Sequence, residues 1–414
     1  VKALSPARTI QELKELRSLT SDEHGAQRVA FTETWARARD WLKDRMADLP
    51  VDVHRDEAGN LWATLAGASE KALLIGGHID SVPNGGWLDG CLNVLAGLEV
   101  LRRIHAEFGD RPPVTVRLVD WADEEGARFG RSLFGSSAAA GCLNPDEVRG
   151  LTGRDGVALP DALNACGLDL DRVTEARGEL PGAAAYIELH IEQGPVLESL
   201  GLPLGAVTGT VGVERHTVRF TGQAAHSGST PMDRRRDAFL AAGRMAQEIY
   251  SIAARWDGVC TIGSCTTLPG IVTSVVEECV ISLDQRHLDA GRLARMWQEA
   301  QDAARRFAQE GSVEVEFGDL WRIEPVPFHP ELIELCDAAI RETCGAGHRL
   351  PSGPLHDAAV VARAGVPTVM LFVQSLQGIS HNKIEDTREE HLELAVRALD
   401  RLAAKTMGWI LEQG

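Results

Sequence analysis

His78, Asp80, Asp89, Glu124, Glu125, His190 and His381 stand out because they fall at or beyond the ends of short apolar runs of the kind that form buried strands. In open α/β sheets ligands bind beyond the carboxyl ends of the strands. His78 closes KALLIGGH and opens HID, so Asp80 lies close enough to contact the imidazole or its surroundings. A carboxylate placed there fixes the tautomer of a ligating histidine and raises its basicity. Asp89, in GGWLDG, reaches the same spot from the following loop. Taken alone, an HxD pair is also what a histidine capping a strand looks like. Glu124 and Glu125 are adjacent in DWADEEGARFG, and adjacent acids usually mark a solvated turn. Beside a cation they divide the labour: one holds the metal while the other takes a proton from the attacking water. His190 closes AAAYIELH, and His381 follows VPTVMLFV in GISHNKIED. Two histidines, a bridging Asp, a Glu and a further His form an N/O donor set suited to Zn²⁺ or a similar first-row ion.

The elements that must carry these residues are visible as patterns. KALLIGGH (71–78), PVTVRLVD (113–120), AAAYIELH (183–190) and VPTVMLFV (366–373) are nearly continuous apolar runs, as expected of strands covered on both faces. Between the first two, CLNVLAGLEVLRRIHAEF repeats Leu92, Leu95, Leu98, Leu101 and Ala106 near helical spacing. This alternation predicts an α/β domain with a mostly parallel sheet. From about Gly209 the texture becomes a βαββαβ-like block: VGVERHTVRFTG, the helix DAFLAAGRMAQEIYSIAARW, two strand-like pieces ending in VISLDQRHLD, the helix AGRLARMWQEAQDAARRFAQE and the strand SVEVEFG. Residues 1–208 and 325–414 are therefore expected to form the catalytic domain, with 209–324 a smaller α+β domain inserted into it.

A chain of 414 residues exceeds the size at which a single core stops growing, in keeping with two domains. The net charge of −18 argues against nucleic-acid partners, which require a cationic face. No unbroken apolar run reaches the length of a membrane span, and VKALSPARTIQELKELRSL is charged, with no apolar signal segment. Eight cysteines without a CxxC pair predict free thiols, and a cytoplasmic location is expected.

The strings GGHIDSVPNGGWLDGCLNVLAGLEVL, DEEGARFGRSLFGS, HIEQGP, GQAAHSGSTPMDRRRDA, SGPLHDAA and FVQSLQGISHNKIED, in this order, resemble the amidase branch of the M20 metallopeptidase superfamily. That branch contains N-carbamoyl-L-amino-acid hydrolases, β-ureidopropionases and allantoate amidohydrolases. HIEQGP is the most telling string, because ordinary exopeptidases of the superfamily usually carry an acidic ligand there. The resemblance implies two divalent ions per subunit (Zn²⁺, or Mn²⁺, Co²⁺ or Ni²⁺). His78, Asp89 and His190 would surround one and Asp89, Glu125 and His381 the other, with Asp89 bridging. It implies Glu124 as general base, Asp80 as the partner of His78, Gln193 as a substrate contact, and His226 as the histidine that reaches the scissile group from the smaller domain. Arg286 would clamp a substrate carboxylate. The chain departs from the family pattern at Thr273, where relatives often have a substrate-binding Asn. It departs also at Pro354 and Leu355, in place of small residues, and at Asn93, in place of Gly.

The implied activity is hydrolysis of an N-carbamoyl amino acid to the amino acid, CO₂ and ammonia, by a homodimer whose smaller domain serves as lid and dimerisation element. Allantoate hydrolysis, or deacylase or exopeptidase activity within the same superfamily, is the enzymatic alternative. A catalytically silent ligand-binding protein is the alternative from another class, against which the intact Glu124 argues.

Overall fold

The computed structural model describes residues 4–413, so Val1–Ala3 and Gly414, the outermost residues of the expected 1–208 and 325–414 segments, lie outside the described residues. The chain divides into two compact units, Val1–Gly209 with Phe328–Gly414, and Thr210–Pro327.

The sheet of the first unit runs in the order Leu204–Thr210, Thr368–Val373, Ala183–Ile191, Ser69–His78, Val114–Trp121, Leu61–Leu65, Asp52–Arg55, with Arg349–Ser352 beside Leu204–Thr210. Its four central strands are mutually parallel. Leu204–Thr210 on one side, and Leu61–Leu65 followed by Asp52–Arg55 on the other, are antiparallel additions. The parallel centre consists of the four apolar runs. Thr368–Val373 is buried throughout and Ser69–His78 is buried from Ala72 onward, which requires cover on both faces.

Part of that cover is the helix Cys91–Phe108, the run marked by its leucine spacing, with Leu92, Leu95, Leu98, Leu101 and Ile104 all buried. It packs on Ser69–His78 and Val114–Trp121. Gly97 sets the closeness of that contact, since a Cβ there would lie 2.6 Å from Leu118 and 2.9 Å from Ile75. The helices Pro6–Thr20 and Glu389–Glu412 pack against it in turn. Each fully buried leucine contributes about 1.5–3 kcal/mol, so this helix is anchored along its length and its N-terminal end, next to Asp89, is held in place.

The second unit has a four-stranded antiparallel sheet in the order Val259–Leu268, Glu278–His287, Gly212–Thr221, Glu314–Ile323. Glu278–His287 alternates strictly between partly and fully buried residues, the pattern of a sheet covered on one face. Cys279, Ile281 and Leu283 join a core with Met245, Ile249, Met296 and Phe307 from the helices Ala238–Arg255 and Ala290–Glu310. Asp237 and Asp289 cap those helices by accepting from Leu240 and Arg292 backbone N–H groups. Among the described residues no helix is long and apolar enough to cross a membrane.

Candidate metal centre

The parallel strands deliver their chemistry at one end. His78 is the last residue of Ser69–His78, His190 is the penultimate residue of Ala183–Ile191, and Glu124 and Glu125 follow Val114–Trp121. His381 lies in the loop after Thr368–Val373. Residues far apart in sequence thus meet beyond the carboxyl edge of the sheet, where the parallel arrangement predicts a ligand.

Asp89 is the centre of the arrangement. Its Oδ1 lies 3.1 Å from His190 Nε2 and 3.7 Å from His78 Nε2. Its Oδ2 faces the other way, 3.5 Å from His381 Nε2. Glu125 Oε2 is 3.3 Å from the same His381 nitrogen, and Glu124 Oε2 is 3.7 Å from His78 Nε2. The potential ligand atoms of His78, Asp89 and His190 lie within 4.8 Å of one another, as do those of Asp89, Glu125 and His381. Glu188, His190 and His356 form a third, fully buried cluster.

The two buried histidines are oriented from behind. His78 Nδ1 is 3.0 Å from the backbone carbonyl of Asp80 and His190 Nδ1 is 2.8 Å from that of Ile191, which leaves each Nε2 for the cluster. The carboxylate of Asp80 was expected to be the partner of His78. It stands 3.6 Å from Nδ1 and also accepts from the backbone N–H groups of Glu124 and Glu125, each at 3.2 Å. Asp80 therefore ties the first strand's loop to the second's. Gln193 Nε2 donates to Asp89 Oδ2 at 2.9 Å and to Ser380 Oγ at 3.1 Å. Gln193 and His381 have φ of 55° and 54°, the left-handed region that is uncommon for non-glycine residues.

The electrostatics call for a cation. His78 Nε2, His190 Nε2 and Glu125 Oε1 are buried without a hydrogen-bond partner, and buried polar atoms are seldom left so. Burial, followed by the charges of Asp357, Glu125, Asp80 and Asp89, raises the Glu124 carboxyl well above its ordinary range. Burial and the charges of Asp89 and Asp80 do the same to Glu125. Burial pushes Asp80 up to about 7 and His78 down to about 4. Burial alone would raise Asp89, but contact with His190 and the charges of His190, His78 and His381 outweigh it and hold the carboxyl below its usual range. Against the same burial, Asp89 lifts His190 to about 9. So many ionisable groups in one dry place are mutually destabilising unless divalent charge sits among them. The donor set, imidazole nitrogens with carboxylate oxygens, suits Zn²⁺ and its first-row neighbours.

Asp89, Glu124, Glu125, His190, Gln193 and His381 line a cavity of about 470 Å³ together with Ser132, Leu133, Pro354, Leu355, His356, Gly378 and Ser380, large enough for a small organic substrate. Several supports escaped the sequence reading. Glu385 Oε1 accepts from the backbone of both Leu88 and Asp89 at 3.1 Å, while Ser380 Oγ reaches Asp89 Oδ2 at 2.9 Å and Glu385 Oε2 at 3.0 Å. Asn60 accepts from Ala122 N at 2.9 Å and donates to Gly135 O at 3.1 Å, bracing the loop that carries Glu124. The only sequence signal for Glu385 was its place in the quoted GISHNKIED, and Asn60 gave none.

His226, Thr273 and Arg286 belong to the second unit. There His226 Nδ1 accepts from Gly228 N at 3.1 Å, and Thr273 O accepts from Ser227 N at 2.9 Å, so these two are neighbours. Arg286 holds Asp284 with two nitrogens, at 2.8 and 3.3 Å.

A histidine–carboxylate centre thus lies at the carboxyl edge of a largely parallel sheet, in a chain with an inserted antiparallel unit. The match to Peptidase family M20/M25/M40 spans residues 74–405, and the chain belongs to that family. It is 36% identical to an allantoate amidohydrolase of Escherichia coli K12 over 91% of each chain. It is 35% identical to an N-carbamoyl-L-amino acid amidohydrolase of Geobacillus stearothermophilus over 94% of each. A crystal structure of a hydantoinase/carbamoylase family amidase from Burkholderia ambifaria superposes with a TM-score of 0.86, at 33% identity over 97% of each chain. The resemblance to the amidase branch is thereby confirmed.

Proposed function

We propose that the protein hydrolyses the ureido group of an N-carbamoyl amino acid, giving the amino acid, CO₂ and ammonia. The observation that carries this reading is Asp89, whose two oxygens face separate donor sets with Glu124 beside one of them. In this proposal His78, Asp89 and His190 hold one cation and Asp89, Glu125 and His381 a second. Bound there, divalent ions supply Lewis acidity toward the amide carbonyl and make water acidic near neutral pH. Glu124, buried and with its proton affinity raised, takes the proton of the attacking water and returns it to the leaving nitrogen. Asp80 fixes the backbone of Glu124 and so its aim, and Gln193 offers hydrogen bonds to the substrate.

The inserted unit is proposed as lid and dimerisation element, with Arg286 receiving the substrate carboxylate, His226 stabilising the oxyanion and Thr273 part of the substrate pocket. Allantoate is the second candidate, because one of the reported relatives is named for it. The test is ammonia release by protein loaded with Mn²⁺ or Zn²⁺ from N-carbamoyl-L-amino acids, N-carbamoyl-β-alanine and allantoate, with N-acetyl amino acids and dipeptides alongside. Turnover of ureido acids is expected. Turnover of the acetyl compounds or dipeptides alone would overturn the reading in favour of a deacylase or peptidase, and binding without turnover would favour a silent ligand-binding protein.

A further inference from the structure

We propose that the substrate carries an apolar side chain, aliphatic or aromatic, recognised by a wall formed by Leu133, Pro354 and Leu355; this rests on the ureido-acid reading above. Most of the polar groups lining the cavity belong to the reacting end: the histidines and carboxylates of the centre, and Gln193 and Ser380, both bonded to Asp89. The rest of the lining includes these three apolar side chains.

Each of the three is held in place. Leu133 has φ 59°, a conformation that costs a leucine energy and persists only where surrounding structure imposes it. Its N–H donates to the carbonyl of Glu124 at 2.8 Å, so the wall begins beside the proposed base. Pro354 restricts its own backbone, and its carbonyl accepts from Ser352 Oγ at 2.9 Å. Ser352 Oγ is also 3.0 Å from His356 Nε2. His356 is buried, and its ring centroid is 4.4 Å from that of His190. The turn that presents Leu355 is thus tied to the histidine cluster and is not a loose loop, and Leu355 itself is only half-buried, with surface left to cover.

Such a wall discriminates by chemistry. A ureido or carboxamide group laid against Leu133, Pro354 and Leu355 gives up hydrogen bonds to water that these side chains cannot replace, whereas an isobutyl group of similar size is removed from water at a gain. Allantoate presents a second ureido group where the proposed substrate has hydrocarbon. N-carbamoylglycine presents nothing.

The experiment compares kcat/KM for N-carbamoyl-L-leucine and N-carbamoyl-L-asparagine, nearly equal in size, with N-carbamoylglycine and allantoate measured beside them. The leucine compound should exceed the asparagine compound by about 10-fold or more, the scale of discrimination by an apolar pocket. Leu355→Asn should bring that ratio close to one, and Leu355→Gly should lower it while widening the cavity. A wild-type ratio near one overturns the inference and leaves the ureido-acid reading standing, whereas a preference for allantoate overturns the inference and moves that reading to its second candidate. Turnover of no ureido compound, N-carbamoylglycine included, overturns both.

Discussion

Glu124 and Glu125 are neighbours in sequence but address different histidines, Glu124 lying 3.7 Å from His78 Nε2 and Glu125 3.3 Å from His381 Nε2. The distinction makes a double prediction. Glu124→Gln should keep cation content and substrate binding while kcat falls by about 10²-fold or more, the usual contribution of a positioned acid–base group. Glu125→Gln should lower cation occupancy, measured by elemental analysis after gel filtration. Reversed phenotypes would exchange the two roles. Glu385 makes a second case. It accepts from two backbone N–H groups in the Asp89 loop, and removing a buried acceptor costs about 1–3 kcal/mol. Glu385→Ala should therefore lower the midpoint of chemical denaturation and weaken cation affinity by about 10- to 100-fold, read by titration calorimetry on chelated protein. Unchanged affinity would mean that Glu385 is a strut for the loop and nothing more. The residues of the centre that stood out in the sequence were titratable or cation-binding side chains at or just beyond the ends of apolar runs. Glu385, Ser380 and Asn60 act by hydrogen bonds to backbone or to Asp89 from a distance, and only folding brings them near.

Among the elements, the strand Glu278–His287 carries the most informative side chain. Its alternation puts Asp284 and Arg286 on the face away from the helices, and the carboxylate already holds the guanidinium by two nitrogens. A substrate carboxylate would have to compete with Asp284 or share the remaining N–H groups. Hydrogen bonds to charged groups contribute about 1.5–3 kcal/mol, so Arg286→Ala should lower kcat/KM by about 10- to 150-fold for carboxylate substrates and far less for their amide analogues. Arg286→Lys, lacking the planar fork, should be impaired as well. Equal losses on charged and neutral analogues would make Arg286 structural. The central strands and the Cys91–Phe108 helix were legible because burial on both faces demands continuous apolar sequence. Two strands at the flanks, Asp52–Arg55 and Arg349–Ser352, were not, since the first is largely exposed and the second is short; neither leaves an apolar signature.

For the whole molecule the governing quantity is charge: −18 overall, with Asp89, Glu124 and Glu125 crowded into one buried centre. Removing cations with a strong chelator should abolish turnover and lower Tm, and adding Mn²⁺ or Zn²⁺ should raise Tm progressively, because binding to the folded state alone stabilises it in proportion to the logarithm of free ligand. Differential scanning fluorimetry reads this directly. A Tm indifferent to both treatments would show that the carboxylates are not held by cations. The order of the donors along the chain adds a consequence for biosynthesis. His78, Asp89, Glu125 and His190 all precede the unit Thr210–Pro327, whereas His381, and Ser380 and Glu385 that steady Asp89, follow it. The strand Thr368–Val373, which pairs with the His190 strand, also follows it. If two cations bind as proposed, a ribosome must read through the entire insertion before the second donor set exists, and a nascent chain would have the groups for one cation at most. On the two-cation proposal, charging with metal would be completed only after translation has passed His381, and until then the emerging polypeptide would be a hydrolase without hydrolytic capacity.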